Sequence, residues 1–362
     1  MSGERRSPFE ASYQSLGAEF ATVRGCRLPA HFGDTAAECR AVRASAGVMD
    51  STDRGYLTAM GPDATEYLHR MTSNDVKGLA PGQGCYATQL TAQGHIVADI
   101  YVLAMPDHLL LETDWLAKER LQAILEKFII ADDVELTDQS EGFAALSVAG
   151  PAAGKLLTAA GAVALPGKEF NHTWVELGGA PVLAVRLSET GEEGYRLIVV
   201  VEYAQNLWDA FAAQQEQVPW QPVGHTAWNI LRTEAGIPCY GVDMDERTLP
   251  PEAGLEARAL SYTKGCYLGQ EIIERIRSRG HVNRRLTGFF LSAGPLPAAR
   301  SKLLSDGKEV GWLTTAVASP TLGRALGLGY LRREHLQPGT QLQVEGDGTA
   351  EVAPLPFYHP AS

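Results

Sequence analysis

The stretch Lys264-Gly265-Cys266-Tyr267-Leu268-Gly269-Gln270-Glu271 places a thiol, a cation, an amide and a carboxylate around two glycines. Glycine tolerates a positive φ and the close approach of a ligand, so Gly265 and Gly269 predict a shaped loop. A cation beside a thiol favours the reactive thiolate. A single cysteine is more often a small buried hydrophobic residue, but this combination of side chains predicts a functional role for Cys266.

Arginine is concentrated in residues 272–285, directly after this stretch, where His281 also lies. The arginines are Arg275, Arg277, Arg279, Arg284 and Arg285. Because the whole chain has a net charge of −12, a positive segment of this kind predicts contact with an anion. The alternative is a solvated helix face, which is the usual behaviour of a charge run.

The composition is that of a globular protein with more than one domain. The 362 residues are 45% hydrophobic and 20% charged, which is enough for a sizeable core in two or three domains. A pI near 5.3 argues against general binding to nucleic acid or to an anionic membrane, although a local basic patch can still contact tRNA. No apolar run reaches membrane-spanning length, so no membrane contact is predicted.

The cysteines are odd in number and scattered through the chain, at Cys26, Cys39, Cys85, Cys239 and Cys266. None forms a C-x-x-C pair, so neither a structural zinc site nor a disulfide framework is expected, and no residue is assigned as a metal ligand. A reducing compartment fits this usage. Residues 1–16 lack the apolar core of a secretory signal, so the expected location is the cytoplasm.

Two successive segments show the same predicted order of elements, βαβββα. In the first, Gly61-Pro62-Asp63 starts a helix, because proline suits the first helical position and aspartate complements the helix dipole. In the second, Gly150-Pro151-Ala152 stands at the same place. The recurrence predicts an internal duplication into two related α/β units. From residue 286 onward, short strands and the hairpin signal Asp306-Gly307 predict a small β-barrel or sandwich.

Three charged residues stand in otherwise apolar or turn-like surroundings. Asp99 lies mid-strand in a predicted hairpin of residues 85–90 and 96–105, on the face opposite the apolar one. Glu192 lies in a turn, and Arg232 lies on a helix predicted over residues 223–236. Each has an ordinary alternative as an exposed residue, and the residue pattern does not join them into one site.

Several motifs of well-known enzymes are absent from the sequence. There is no P-loop, no G-x-G-x-x-G after a strand, no H-E-x-x-H and no G-x-S-x-G. Nucleotide hydrolysis, hydride transfer and zinc catalysis are therefore not among the main hypotheses for the function.

The opening stretch resembles the signature K-G-C-Y-x-G-Q-E of the YgfZ family of folate-binding proteins. These are relatives of the glycine-cleavage T-protein, an aminomethyltransferase, and they are implicated in iron–sulfur cluster assembly or repair. Further blocks that are similar to those of the T-protein superfamily occur along the chain. They are Pro81-Gly82-Gln83 with Tyr86, Gly94 to Asp99, Thr190 to Tyr195, Leu231 to Gly236, and Ser319 to Gly323.

The resemblance implies an α+β fold with three domains around a central folate channel and a C-terminal β-barrel. On this basis residues 1–54 and 142–250 are expected to form a discontinuous first α/β domain. Residues 55–141 are expected to form a second, ferredoxin-like domain. Residues 251–285 hold the signature and the basic segment, and residues 286–358 form the barrel.

The resemblance also implies a site. Tetrahydrofolate is the expected cofactor, and its contacts are expected to fall on Tyr86, Asp99, Glu192 and Arg232. A carboxylate can accept two hydrogen bonds from the donor edge of a pterin, and arginine can meet a carboxylate or a ring. Asp99 and Cys266 are the expected catalytic residues. The signature residues are Lys264, Gly265, Cys266, Tyr267, Gly269, Gln270 and Glu271.

Departures from the aminomethyltransferase pattern indicate the YgfZ branch. Aminomethyltransferases usually have an Asp-Asp pair on the strand that here contains Asp99, whereas this chain has Ala98-Asp99. They also usually have a Ser-His-Met-Gly turn, and the aligned residues of this chain are Thr52 to Gly55. The main hypothesis is therefore a tetrahydrofolate-binding accessory protein for iron–sulfur cluster assembly or repair, with assembly or client proteins as partners. The alternative is a folate-dependent aminomethyltransferase or demethylase. A third hypothesis is an interaction protein whose basic segment contacts a protein or tRNA.

Overall fold

The structure is a computed structural model that describes residues 4–346 and 348–360. Its N-terminal segment forms a small three-stranded sheet of order β1-β3-β2 and then contributes β4 to a larger sheet. The Asp34 carboxylate starts α2 by accepting hydrogen bonds from the backbone N–H groups of Ala36 and Ala37. The elements are β1 Arg5–Arg6, α1 Glu10–Ser15, β2 Glu19–Val23, β3 Cys26–His31, α2 Thr35–Ala44 and β4 Ala46–Asp50.

The first α/β unit is a five-stranded antiparallel sheet of order β6-β7-β8-β5-β9. Tyr67 and Leu68 of α3 and Leu121 and Leu125 of α4 pack into the apolar core of this unit, because these residues recur at helical spacing. The elements are β5 Arg54–Met60, α3 Ala64–Met71, β6 Gly84–Leu90, β7 Ile96–Ala104, β8 Leu109–Asp114, α4 Trp115–Phe128 and β9 Glu135–Asp138.

The second unit repeats the order of the first. Its sheet has the order β11-β12-β13-β10-β4-β14, so β11-β12-β13-β10 corresponds strand for strand to β6-β7-β8-β5. The predicted duplication is therefore confirmed. The elements are β10 Phe143–Ala149, α5 Ala153–Ala159, β11 His172–Leu177, β12 Ala180–Arg186, β13 Gly194–Val200, α6 Ala204–Ala212 and β14 Trp220–Val223.

An apolar cluster joins the two sheets. Tyr56, Leu103 and Leu110 of the first unit pack against Leu183 and Ile198 of the second, and all five are buried. Burial of this apolar surface stabilises the pair of units. Polar residues farther along the same strands are thereby brought face to face.

The described residues after β14 form three α-helices and a closed six-stranded barrel of order β15-β18-β17-β16-β19-β20. The predicted α+β class and the C-terminal barrel are confirmed. No helix in the described residues is both long and apolar enough to cross a membrane. The elements are α7 His225–Glu234, α8 Glu256–Ala259, α9 Gln270–Arg279, β15 Arg284–Leu291, β16 Lys302–Ser305, β17 Lys308–Ser319, β18 Arg324–Arg332, β19 Gln341–Val344 and β20 Gly348–Ala353.

Candidate functional site

A central cavity lies where the N-terminal segment, both α/β units and α7 meet. Its walls are rich in charge, with carboxylates and guanidinium groups facing one another. The charged lining residues are Arg24, Asp50, Asp53, Arg54, Asp99, Asp114, Glu189, Arg196 and Arg232. The cavity is therefore suited to a polar ligand that both accepts and donates hydrogen bonds.

Asp99 is buried in this cavity, with 6% of its surface exposed, instead of lying on a solvated strand face. Its Oδ2 accepts a hydrogen bond of 3.1 Å from the Tyr86 hydroxyl, whereas its Oδ1 is buried without a hydrogen-bond partner among the described residues. Burial raises the pKa of Asp99 above its ordinary value, and the nearby Arg54 guanidinium opposes that rise. A buried acceptor without a partner is costly, so Oδ1 is the atom that a ligand donor would satisfy.

Buried ion pairs hold the arginines of the two units in place. Arg54 Nε donates to Glu112 at 2.9 Å, and Arg196 Nε lies 3.3 Å from the same carboxylate oxygen. Arg196 Nη2 lies 2.9 Å from Glu189 Oε1, and Ser147 donates to Glu189 Oε2 at 3.0 Å. The ion pair between Arg196 and Glu112 thus joins the two sheets, in addition to the apolar cluster.

Arg232 lines the cavity but is largely occupied by internal partners. Its guanidinium donates to Asn229 at 2.8 Å, to the carbonyl of Ile237 at 3.0 Å, to Asp243 at 2.6 Å and to Thr315 at 3.1 Å. These bonds join α7 to the following loop and to barrel strand β17. Four of the five N–H donors of an arginine are accounted for, so little remains for a ligand.

Two aromatic residues of α7 complete this wall of the cavity. The His225 ring stacks on Trp228 with 5.2 Å between ring centroids, and both residues line the cavity. Burial lowers the pKa of His225 to about 3, with Arg24 and Arg232 adding to the effect. The imidazole is therefore neutral at physiological pH and presents a flat surface.

Glu192 does not line the central cavity. It is buried and paired with Arg43 of α2 at 3.0 Å, and Arg43 also bonds to Glu234 at 2.7 Å. The Tyr358 ring covers the Arg43 guanidinium at 3.7 Å. Glu189 is the acidic residue of the same loop that reaches the cavity, so the predicted folate contact of Glu192 has no support from its position.

The signature stretch anchors α9 to the first unit. The Lys264 ammonium donates to the carbonyls of His69, Thr72 and Asn74, which lie at the C-terminal end of α3 and just beyond it. Cations are favourable at that end of a helix. Lys264 is thus engaged with backbone carbonyls, and its effect on the Cys266 thiol stays a prediction.

The two glycines of the signature differ in their conformational role. Gly269 has φ 83° and packs so tightly that a Cβ would lie 2.5 Å from the carbonyl oxygen of Thr91. Gly265 has no positive φ, and a Cβ there would meet none of the described residues within 4 Å, so only Gly269 uses the conformational freedom of glycine. Tyr267 is buried, whereas Cys266 is exposed and is not part of the cavity wall. Gln270 and Glu271 begin α9.

The basic segment divides into two parts. Arg275, Arg277 and Arg279 are exposed on α9, where Arg277 pairs with Glu274 at 3.6 Å. Arg284 and Arg285 begin β15 and pair with Glu252 and Glu256, respectively. A shared anion site for all five arginines stays a prediction.

Sequence reasoning missed Arg24, Arg54, Glu189 and Arg196 as cavity residues. A signal was present for Arg196, which stands inside an apolar strand just as Asp99 does. Arg24 and Glu189 lie in turns, where a charged residue is ordinary. Their convergence depends on the packing of the two sheets, which no local pattern shows.

Comparisons with known proteins cover the chain almost completely. The model of the GCVT N-terminal domain matches residues 9–263, and that of the glycine cleavage T-protein C-terminal barrel domain matches residues 284–359. An aminomethyltransferase of Rubrobacter xylanophilus is 32% identical over 358 residues, which is 98% of this chain and 94% of that protein. One of Streptomyces coelicolor is 30% identical, covering 98% and 97%.

A solved structure shares the fold. The glycine cleavage system aminomethyltransferase T from Bartonella henselae has a TM-score of 0.89 at 23% identity and covers 99% of both chains. It has the same overall arrangement, including the C-terminal barrel. From the family models and the curated relatives, the chain belongs to the glycine cleavage T-protein family.

Proposed function

We propose that this chain binds tetrahydrofolate in the central cavity and transfers a one-carbon unit to it, in the manner of an aminomethyltransferase. The observation that carries the proposal is that Oδ1 of buried Asp99 has no hydrogen-bond partner in the described part of the chain, while Asp99 lines a cavity built by both α/β units and α7. The names of the relatives favour this alternative over the accessory role that the signature alone suggested.

The residues present fit a folate. Asp99 Oδ1 can accept a hydrogen bond from a ring N–H, and Glu189, held by Arg196 and Ser147, offers a second carboxylate to a donor edge. Trp228 and Tyr101 supply aromatic faces in the cavity wall. Tetrahydrofolate, used by the homologous aminomethyltransferases as the one-carbon acceptor, supplies the nucleophilic nitrogens.

Asp99 has the means to assist such a transfer. A carboxylate fixed in a buried position stabilises positive charge that develops on an adjacent nitrogen, and this effect is stronger there than in water. Burial keeps the pKa of Asp99 raised, so this carboxylate is also a better proton acceptor than an exposed one. Tyr86 holds the carboxylate through Oδ2 and leaves Oδ1 free for this role.

A transfer assay tests the proposal. Wild-type protein is incubated anaerobically with tetrahydrofolate and a panel of aminomethyl and N-methyl donors, and methylene- and methyl-tetrahydrofolate are quantified by mass spectrometry. Protein-dependent formation of either product from at least one donor is expected. Tight folate binding without any product from the panel would favour the second candidate below.

The second candidate is the YgfZ-type accessory role in iron–sulfur cluster assembly or repair. It is favoured by the exposed Cys266, because the other four cysteines, Cys26, Cys39, Cys85 and Cys239, are all buried. An exposed thiol is available to oxidants, to metal and to partner proteins. Under this candidate function the cavity still binds folate, and the Cys266 thiol reacts with oxidants, metal or partner proteins.

At neutral pH, Cys266 is expected to be alkylated at least about tenfold faster than any of the other four cysteines. Burial raises the pKa of Cys26, Cys39 and Cys85 to about 12 and also raises that of Cys239, so these thiols are both shielded and protonated. Peptide mass spectrometry after a short N-ethylmaleimide pulse measures the order. Faster labelling of any buried thiol in native protein would contradict this reading.

Cellular complementation then separates the two candidates. The test uses cells that depend on this protein for iron–sulfur enzyme activity. If the protein has the accessory role, Cys266→Ser is expected not to restore that activity. If it is a transferase, Cys266→Ser is expected to restore it fully. Ser278→Ala, an exposed change on α9, is the control for expression.

A further inference from the structure

The outer face of the C-terminal barrel carries a groove, and none of the described residues that line it also lines the central cavity. Trp312 of β17 and Tyr330 of β18 form the aromatic part of its lining. They are partners in the sheet register, with 5.3 Å between their ring centroids. Their sequence neighbours Leu313 and Leu331 pack in the barrel core, so the alternation along both strands directs the two rings outward. We call this feature the barrel groove.

Arg284, at the start of β15, lies over both aromatic rings of the barrel groove. Its guanidinium carbon is 5.1 Å from the ring centroid of Trp312 and 5.5 Å from that of Tyr330. Two hydrogen bonds to Glu252, of 3.0 and 3.1 Å, and one of 3.0 Å to the carbonyl of Arg247 hold the guanidinium there. A fixed guanidinium beside an indole ring is a platform on which a planar ring can stack.

Trp312 also brings an unused hydrogen-bond donor to the groove. The residue is half-buried, and its Nε1 atom is buried without a hydrogen-bond partner among the described residues. An indole N–H can only donate, and a buried donor without a partner is costly. A ligand that carries an acceptor oxygen beside its planar ring would satisfy this group.

Exposed cations border the barrel groove. Arg247 and Arg300 share the carboxylate of Asp245, at 2.5 and 3.4 Å, and Lys302 lies 3.5 Å from Glu309. The side chains of all three cations are more than half exposed. Exposed ion pairs contribute little stability, so the oxygens of a ligand phosphate can replace these carboxylates at small cost.

The remaining acidic residue of the lining, Asp243, is already satisfied inside the protein. Its Oδ2 accepts a hydrogen bond of 2.6 Å from Arg232, and its Oδ1 accepts bonds of 2.5 and 2.7 Å from Thr314 and Thr315. Because these bonds neutralise Asp243, it does little to repel an anion. Positive charge therefore predominates where Arg247 and Arg300 share one carboxylate.

We propose that the barrel groove binds a nucleoside phosphate. The base stacks on the platform of Trp312 and Arg284, and a sugar oxygen at the edge of the indole accepts from Trp312 Nε1. The phosphate oxygens meet Arg247, Arg300 and Lys302. This site goes beyond the proposed folate function and does not depend on it, because the two sites have separate linings.

Calorimetric titration of the full chain, without added folate, tests the site with three probes. They are adenosine 5′-triphosphate, adenosine and inorganic triphosphate. The nucleotide is expected to bind at least about tenfold more tightly than either fragment, because base stacking and the phosphate contacts act together. Its affinity is expected to fall as salt is raised, since the cations at the rim are exposed.

Two variants locate the bound nucleotide. Trp312→Leu should weaken the nucleotide about tenfold and leave inorganic triphosphate unchanged, because only the stacking surface is lost. Arg300→Gln should weaken both phosphate-bearing probes and leave adenosine unchanged. Lys308→Gln is the matched control, since Lys308 is exposed on the same strand as Trp312 and does not line the groove; it should change none of the affinities.

Urea unfolding checks that Trp312→Leu is folded. Arg300→Gln changes an exposed side chain, so it keeps the test decisive if Trp312→Leu is not folded. Absence of nucleotide binding to wild-type protein would overturn the proposal. An affinity for the nucleotide that Arg300→Gln leaves unchanged would also overturn it, because the nucleotide would then bind elsewhere. Neither result bears on the folate function.

Discussion

Replacing Asp99 with asparagine is expected to lower the rate of one-carbon transfer by about two to three orders of magnitude. Enzymes typically lose that much rate when one preorganised group that stabilises charge in the transition state is removed. The amide keeps the size of the side chain but removes the negative charge at the free Oδ1 position. Single-turnover measurements with saturating tetrahydrofolate report the chemical step. Asp107→Asn is the control, because Asp107 is exposed and lies outside the cavity. A rate within twofold of wild type for Asp99→Asn would remove Asp99 from the chemistry.

The same variant gives a pH test. Since burial raises the pKa of Asp99, the carboxylate form is lost as the pH falls through that raised value, and wild-type transfer should fall with it. The acidic limb should lie above the ordinary range of an aspartate and should be absent from the residual activity of Asp99→Asn. A wild-type limb at an ordinary aspartate pKa would contradict the assignment.

The free energy of unfolding of Asp99→Asn shows whether a loss of activity is caused by misfolding. A carboxyl whose pKa is raised in the folded state binds protons more tightly there than in the unfolded chain. It therefore destabilises the fold as the pH rises through the folded pKa. Asp99→Asn should consequently be at least as stable as wild type at neutral pH. Urea unfolding measures this, and a clear loss of stability would show that the charge supports the fold.

Replacing Arg43 with leucine is expected to lower the free energy of unfolding by about 3–5 kcal/mol. Arg43 lies between the buried carboxylates of Glu192 and Glu234, and its removal leaves both without their cation. Glu234 also accepts from Ser319 of the barrel at 2.5 Å, so the loss should loosen the contact between α7 and the barrel.

Arg40→Leu on the same helix is the matched control. Its pair with Asp34 is exposed, so a change of no more than about 0.5 kcal/mol is expected. Urea unfolding at neutral pH compares the two variants. A loss for Arg43→Leu as small as for Arg40→Leu would show that Glu192 and Glu234 are not held by this arginine, and would reopen Glu192 as a ligand residue.

The hairpin and the duplication show what local patterns can predict. The alternation of residue types in the second predicted strand of the hairpin predicts one apolar face, and the residues of that face, Ile96, Ala98, Ile100 and Val102, all lie in the apolar core. Asp99 is on the opposite face, as predicted, but that face meets the second sheet and not solvent. The alternation gives the direction of a side chain, whereas the environment on that side depends on a partner far away in sequence.

The arginine partners show what local patterns cannot predict. Arg196 and Arg54 share Glu112, and these three residues come from three different strands of two sheets. Arg43 and Lys264 likewise look like surface cations in sequence, yet one bonds buried carboxylates and the other bonds backbone carbonyls. Long-range pairing of charges follows from packing, so it appears only once the fold is known.

The most direct test of the folate site is calorimetric titration of tetrahydrofolate, under anaerobic conditions, into wild-type protein and Asp99→Asn. The account predicts one binding site in wild type and at least about tenfold weaker binding in the variant, because a donor of the ligand loses its charged acceptor. Equal affinity in the two proteins, or no binding to wild type, would contradict the claim that the cavity around Asp99 is a folate site.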